Sequence, residues 1–353
     1  MKVAIIGDCH IGAGSSSPQL SLLMDRFFTE TFFPYLKKNN INTLIQLGDL
    51  FDKRKIIDFT SLSEGKRYFF DPLHKANIES HVIIGNHDSY FRNTIEINAP
   101  SLLLGEYSNI HTYDKPTTIN IDGCSIDMLP WICKENEEES FEFIRNSTSV
   151  ICCGHLEVNG FSMAKGMESH GGIARDIFKN YDSVFSGHYH TRSVSDQSNI
   201  KYLGTPYELT WSDYNDQKGF HIFDTDTREL EFIPSPHDIF IRHEYNDELN
   251  NYTNFDITPF VQKYIKIVVT KKTDFYVFDR FLRSLYEADT YGIKILEDLS
   301  DLTEGSVDTD KVDIENTLEV LESFVDSVAE DEKKDKIKNF MKGLYLEAIG
   351  AQS

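Results

Sequence analysis

The stretch KVAIIGD, residues 2–8, sets four apolar side chains in a row against a glycine and a carboxylate. A short, unalternating apolar run of this kind reads as a strand buried on both faces. The same ending returns in TLIQLGD (43–49) and HVIIGNHD (81–88). Between the first two runs, Leu20 to Leu36 carries Leu22, Leu23, Phe27 and Phe28 at helical spacing, and Phe59 to Ala76 is helical in pattern before the third. Strand–helix–strand alternation predicts an α/β sheet with right-handed crossovers. In such sheets ligand chemistry gathers beyond the carboxyl ends of the strands.

After residue 109 the pattern changes to short strands and turns: IHTYD, TTINID and SIDMLPW. VICCGH (150–155) and SVFSGH (183–188) repeat the apolar run with a polar ending. IKYLGTPYEL, KGFHIFDT and LEFIPSP follow as strands expected to extend or cover a second sheet. Residues 242–258 are polar and mixed, and read as a linker; 264–299 reads as a strand–helix–strand unit. From Glu304 to Glu332 there are 11 acids and one base. This segment and the next place Val312, Leu318, Leu321, Phe324 and Val328, then Ile337, Phe340, Met341 and Leu344, at helical spacing. Such helices pack on their own domain or as a hairpin, or bind a partner.

Composition narrows the class. A chain of 353 residues, 40% apolar, with 25 Phe and 17 Tyr, can bury a large core in roughly two domains. A net charge of -22 repels nucleic acid at long range, so binding DNA requires a local basic patch, bound cations or a partner's surface. Five cysteines, Cys9, Cys124, Cys133, Cys152 and Cys153, form no CxxC pair and exclude a zinc ribbon or full disulfide framework. The first residues run straight into a strand, and no run of about 18 apolar residues exists. A cytoplasmic protein without a membrane span is expected.

The strand endings, collected, are Asp8-Cys-His10, Gly48-Asp49-Leu-Phe-Asp52, Gly85-Asn86-His87-Asp88, Gly154-His155 and Gly187-His188-Tyr-His190. Singly, Asp8 is an ordinary cap, Asn86 a turn residue and His155 a core histidine. Together they are the donor set of divalent metal: imidazole suits Mn, Fe and Zn, carboxylate suits Mg and Mn, and the mixture points to Mn(II) or Fe(II). His188 and His190, at i and i+2, fall on the same side of an extended backbone and read as one ligand for each of two ions.

These motifs resemble the calcineurin-like metallophosphoesterase superfamily, whose pattern is D-x-H, G-D, G-N-H-D/E, G-H and G-H-x-H. The resemblance covers roughly residues 1 to 240 and implies a four-layer sandwich, two mixed sheets flanked by helices. It implies that Asp8, His10, Asp49 and His190 hold a first metal and that Asp49, Asn86, His155 and His188 hold a second, with Asp49 bridging. His87 would be the catalytic histidine beside the leaving oxygen, with Asp88 orienting it. Asp52 stands where relatives often carry a second histidine, and would instead hold a ligand histidine.

Further details are similar to the SbcD type of double-strand-break repair nuclease. Gly48-Asp-Leu-Phe-Asp52 lacks the arginine-glycine ending of the protein serine/threonine phosphatases, while Tyr202-Leu-Gly-Thr-Pro206 and Lys218-Gly-Phe220 look like the SbcD type. The likeness implies a nuclease domain over 1–245, a small α+β capping domain over 260–300, and an acidic linker with helices over 304–353 that bind an SMC-like coiled-coil ATPase. The implied activity is 3′→5′ exonuclease on double-stranded DNA and endonuclease on single strands or ends, in recombination, repair and replication. Mn(II) is the expected ion, with Mg(II) or Fe(II) as alternatives. A homodimer within a heterotetramer is implied; Phe69, Phe70, Leu102, Leu103 and Leu104 lie on segments that could form it, or serve the core. Lys53, Arg54 and Lys55 are candidate DNA contacts, or a plain solvated charge run. Two other readings stay open: a small-molecule or protein phosphoesterase, and a DNA-end scaffold without turnover.

Overall fold

The computed structural model describes residues 1–164, 167–168, 172–193 and 198–297. The expected partner-binding tail, 304–353, lies outside the described residues. Met1–Ile295 forms one compact unit.

In chain order the strands begin with β1 (Lys2–Ile6), β2 (Thr43–Gln46), β3 (Glu79–Ile83) and β4 (Ile110–Tyr113), then β5 (Thr117–Ile121), β6 (Cys124–Leu129) and β7 (Ile151–His155). A short hairpin, β8 (Ser162–Ala164) and β9 (Met167–Glu168), precedes β10 (Ser183–Gly187), β11 (Ile200–Tyr202), β12 (Gly219–Asp224) and β13 (Leu230–Pro234). Last come β14 (Phe240–Asn246), β15 (Tyr264–Lys271) and β16 (Gly292–Glu297).

One sheet has the order β13-β12-β1-β2-β3-β4, the other β11-β10-β7-β6-β5. β1 to β4 are mutually parallel, as their crossover helices require. Two of the strands expected to extend or cover the second sheet cover it from the first: β12 pairs antiparallel with β1, and β13 with β12. Side-chain alternation then makes the layers. Val3 and Ile5 of β1, with Ile45 and Ile83, meet Ile126, Met128, Cys153 and Phe185 of the second sheet. Ala4 and Ile6, on the opposite face, meet the helices. Leu129, Cys152 and Val184 bury the far face of the second sheet with Ile144 and Phe178. The result is helix, sheet, sheet, helix.

The outer helical layer of the first sheet is aromatic. The helix Pro18–Arg26 runs through a π turn (Phe27–Phe32) into Phe33–Lys38, and the helix Phe59–Gly65 through Lys66–Phe70 into Asp71–Lys75. Both π turns sit in this aromatic layer: Phe28 and Phe69 meet with centroids 4.4 Å apart, and Phe27, Phe28 and Phe32 are all fully buried. Phe69, Phe70 and Leu104 therefore belong to this core, whereas Leu102 is 71% exposed.

The polar stretch read as a linker, 242–258, instead begins with most of β14, which pairs in parallel with β15. Alternation in FIRHEYN hid this strand, because only Phe240 and Tyr245 of it are buried. β14, β15 and β16 form a three-stranded sheet covered by the helix Phe275–Glu287, around Tyr245, Ile265, Ile267, Phe278, Phe281 and Leu285.

Candidate metal centre

Strand and site divide sharply. β1 ends at Ile6, β2 at Gln46 and β3 at Ile83, so Asp8, His10, Asp49, Asn86 and His87 all sit in the loops just beyond. His155 closes β7, while His188 and His190 follow β10. Two sheets packed face to face bring these loops to one end. Three of the residues bend the chain into the left-handed region: His10 (φ 46°), Asp49 (φ 50°) and His188 (φ 83°). Non-glycine residues hold this conformation only where their surroundings fix it, and such strain collects at functional sites. The extended backbone assumed for His188 and His190 is thus corrected, since the chain turns at His188; the two rings enter different groups, as one ligand for each of two ions requires.

Asp8, His10 and His190 form one group and Asp49, His155 and His188 a second, while His10 also meets Asp52 and His87 in a third, less buried one. In the first, Nε2 of His10 and Nε2 of His190 face each other at 3.1 Å. In the second, His155 Nε2 and His188 Nδ1 converge on Asn86 Oδ1, at 2.8 and 2.9 Å. Asp49 stands between them: its Oδ2 is 3.8 Å from His10 Nε2 and 3.4 Å from His155 Nε2. Ring nitrogens, an amide oxygen and buried carboxylates aimed at two shared points fit a pair of divalent cations, and this nitrogen–oxygen set suits Mn, Fe or Zn.

Burial and neighbouring charges set the protonation of these donors. Burial pushes Asp8 up to about 6 against the pull of His155 and His10. Asp49 is equally buried, yet the imidazoles of His155, His10 and His87 hold it well below the usual carboxylate range. Burial disfavours charge on His10 and His155, but the carboxylates of Asp52 and Asp49 raise the first to about 9, and Asp49 and Asp8 raise the second to about 9. Burial, reinforced by neighbouring imidazoles, lowers His188 and His190 to about 3, so both rings are neutral.

His87 lies at the rim, with its ring 5.0 Å from that of His10. Its backbone N–H donates to Asp49 Oδ1 at 2.7 Å, and its Nδ1 meets the Asp52 carbonyl oxygen. A carbonyl only accepts, so Nδ1 carries a proton and Nε2 is left for a ligand oxygen. The expected partner, Asp88, is corrected here. Its oxygens accept from the Phe51 N–H (3.0 Å) and the Gly85 N–H (2.9 Å), which locks the two loops to each other. Asp52 has two duties: its carbonyl meets His87, and its Oδ1 approaches His10 Nδ1 at 3.3 Å, off the hydrogen-bond line.

Some supports carried no local signal of their partners. Buried Gln46 donates to the Gly7 and Gly48 carbonyls and accepts from the Gly48 N–H, joining the first two loops. Lys218, also buried, donates to the His190 carbonyl at 2.8 Å while its charge is met by Asp213 at 2.8 Å and Asp216 at 2.9 Å. Both residues stand in stretches that the chain marks, TLIQLGD and Lys218-Gly-Phe220, but their partners are known only from the folded chain. Of the candidate DNA contacts, Lys53 and Lys55 are exposed and Arg54 is half-buried.

Residues 1–192 match the family described as Calcineurin-like phosphoesterase. Exonuclease subunit 1 of Enterobacteria phage T4 is 35% identical over 353 residues, covering 99% of this chain and 99% of that protein. The SbcD subunit of the nuclease SbcCD from Staphylococcus epidermidis is 24% identical over 311 residues, covering 73% of this chain and 79% of its own. The family match runs from β1 past His190 and so takes in every loop of the cluster, which makes the chain a member of the calcineurin-like phosphoesterase family.

Proposed function

We propose that this chain is a metal-dependent DNA nuclease, cutting double-stranded DNA 3′→5′ from its ends and single strands endonucleolytically. The family uses a dinuclear metal site, and the observation that carries the reading is the pair of buried donor groups meeting at Asp49 and Asn86. Support for DNA as substrate comes from the full-length likeness to a phage exonuclease subunit and the partial likeness to the SbcD nuclease subunit.

In this reading Asp8, His10, Asp49 and His190 hold one ion and Asp49, Asn86, His155 and His188 the other, with Mn(II) the favoured metal. Such a pair supplies Lewis acidity toward phosphate and an acidified water. The protein's own residues do the rest. Asp49 fixes the His87 loop through its backbone N–H and the Asp52 carbonyl holds Nδ1–H, so that Nε2, once it has taken a proton from solvent, can hand it to the departing oxygen. Exposed Lys53 and Lys55, with Arg54, offset phosphate charge in a molecule of net charge -22. The acidic tail, 304–353, takes the SMC-like ATPase, and paired chains complete a heterotetramer in the cytoplasm.

Steady-state hydrolysis of cyclic nucleotides, phosphopeptides and duplex DNA ends with Mn(II) tests the reading. Efficient cleavage of DNA supports it; preference for the small esters or phosphopeptides would overturn it in favour of another phosphoesterase.

A further inference from the structure

The loops beyond β2 and β3 carry residues that the metal cluster does not use. After Asp52 come Lys53, Arg54 and Lys55; after Asp88 and Ser89 come Tyr90, Phe91 and Arg92. The loops touch. The Arg54 guanidinium lies 5.1 Å over the Trp131 ring, and its Nη1 donates to the Phe91 carbonyl at 3.5 Å. The Lys55 ammonium is 6.0 Å from the Tyr90 ring centre, and the Tyr90 and Phe91 rings meet edge to face at 4.7 Å.

Two features separate this surface from an ordinary packed loop. Aromatics serving the fold bury their faces, as Phe27 and Phe28 do, yet Tyr90 is 39% and Phe91 44% exposed. Four cations stand on the same two loops as these rings, and among the described residues Lys53, Arg54, Lys55 and Arg92 enter no ion pair. Open rings beside unpaired cations suit a polyanion that carries flat, stackable groups.

We propose that Tyr90 and Phe91 form a stacking platform for the unpaired terminal base of a DNA end, with Lys53, Arg54, Lys55 and Arg92 on the adjoining phosphates. The inference rests on the nuclease reading and names the form of substrate that the site favours: an end whose last pair has opened. Every base presents a π face, so such a platform tolerates any sequence. Position supports it. Two residues, Asp88 and Ser89, separate His87 from Tyr90, three steps of at most about 10 Å, so a stacked end lies within roughly three nucleotides of His87.

The test uses the full chain and a duplex protected by phosphorothioates, with 2-aminopurine as its terminal base. Wild-type protein quenches the fluorescence by stacking. The Tyr90→Ala/Phe91→Ala variant, with metal content unchanged, leaves it bright and loses roughly tenfold or more in kcat/KM on unmodified ends. Tyr90→Trp restores quenching when placed in the Phe91→Ala background. Equal quenching by the double alanine variant overturns the proposal. So does a dimer-to-monomer shift in its sedimentation with quenching intact, which would make the pair a contact between copies. Cleavage of unmodified duplex ends by the wild type with Mn(II) reports separately on the nuclease reading. Its absence would defeat that reading, while the fluorescence still decides the stacking.

Discussion

His87 and His155 show how one residue type takes opposite roles from its surroundings. His155 is fully buried, donates from Nδ1 to the Leu47 carbonyl at 2.8 Å, and turns Nε2 into the cluster. His87 stands at the rim with its Nδ1 taken by the Asp52 carbonyl. His87→Ala is therefore expected to keep two ions per chain while lowering DNA cleavage by roughly 10²–10⁴-fold, read by metal analysis beside a cleavage assay. Protons and metal also compete at residue scale. Because His10 and His155 rise to about 9, both carry protons at pH 7 that an incoming cation must displace. The sign is fixed: affinity falls as pH falls below 9, by roughly a hundredfold per unit for two displaced protons, and more steeply below about 6 where Asp8 joins them. Calorimetric titration in buffers of different ionisation heat checks both the slope and the proton count. His188 and His190 add nothing to it, since both are neutral across that range.

At the scale of elements, the loops approach each other closely. A Cβ built on Gly85 would stand 2.1 Å from the Asp49 backbone nitrogen and 2.2 Å from its Oδ1; on Gly187, 2.4 Å from Asp8 Oδ1. The glycines in these motifs thus mark points where one loop's backbone touches the next loop's ligand. Gly85→Ala has no free space to fill, and displacing Asp49 moves the residue common to both donor groups. We expect the variant to fold, its strands unchanged by circular dichroism, and to bind at most one ion. Full metal content would contradict this. The recurrence of glycine was plain in the chain, and so were the strands before it. Which carboxylate each glycine faces was not, because that depends on loops meeting across two sheets.

For the whole molecule, charge is the governing term. A body of net charge -22 meets DNA through a small local surface, so the salt dependence of binding counts that surface directly. Lys53→Ala with Lys55→Ala is expected to weaken DNA binding evenly across sequences and to reduce the log–log salt slope by roughly 1 per lysine. Filter binding over a range of NaCl measures it, and an unchanged slope would return both lysines to ordinary solvated charge. The acidic tail belongs to this scale as well. Removing 304–353 is expected to leave metal content and cleavage of short DNA intact while abolishing co-purification with the ATPase.

The sequence by itself determined the α/β alternation, the donor types and the order of the five loop motifs, because apolar period and glycine punctuation are local properties. It also marked the cations after Asp52. Tertiary structure alone decided the return of β12 to the first sheet and the strand hidden in 240–246, since pairing partners are chosen by burial far along the chain. The same holds for the reassignment of Asp88 from His87 to the Phe51 and Gly85 amides, and for Gln46 and Lys218 as clamps. A hydrogen bond between distant segments leaves no period in the chain; it exists only once two sheets have packed and brought their loops to one end.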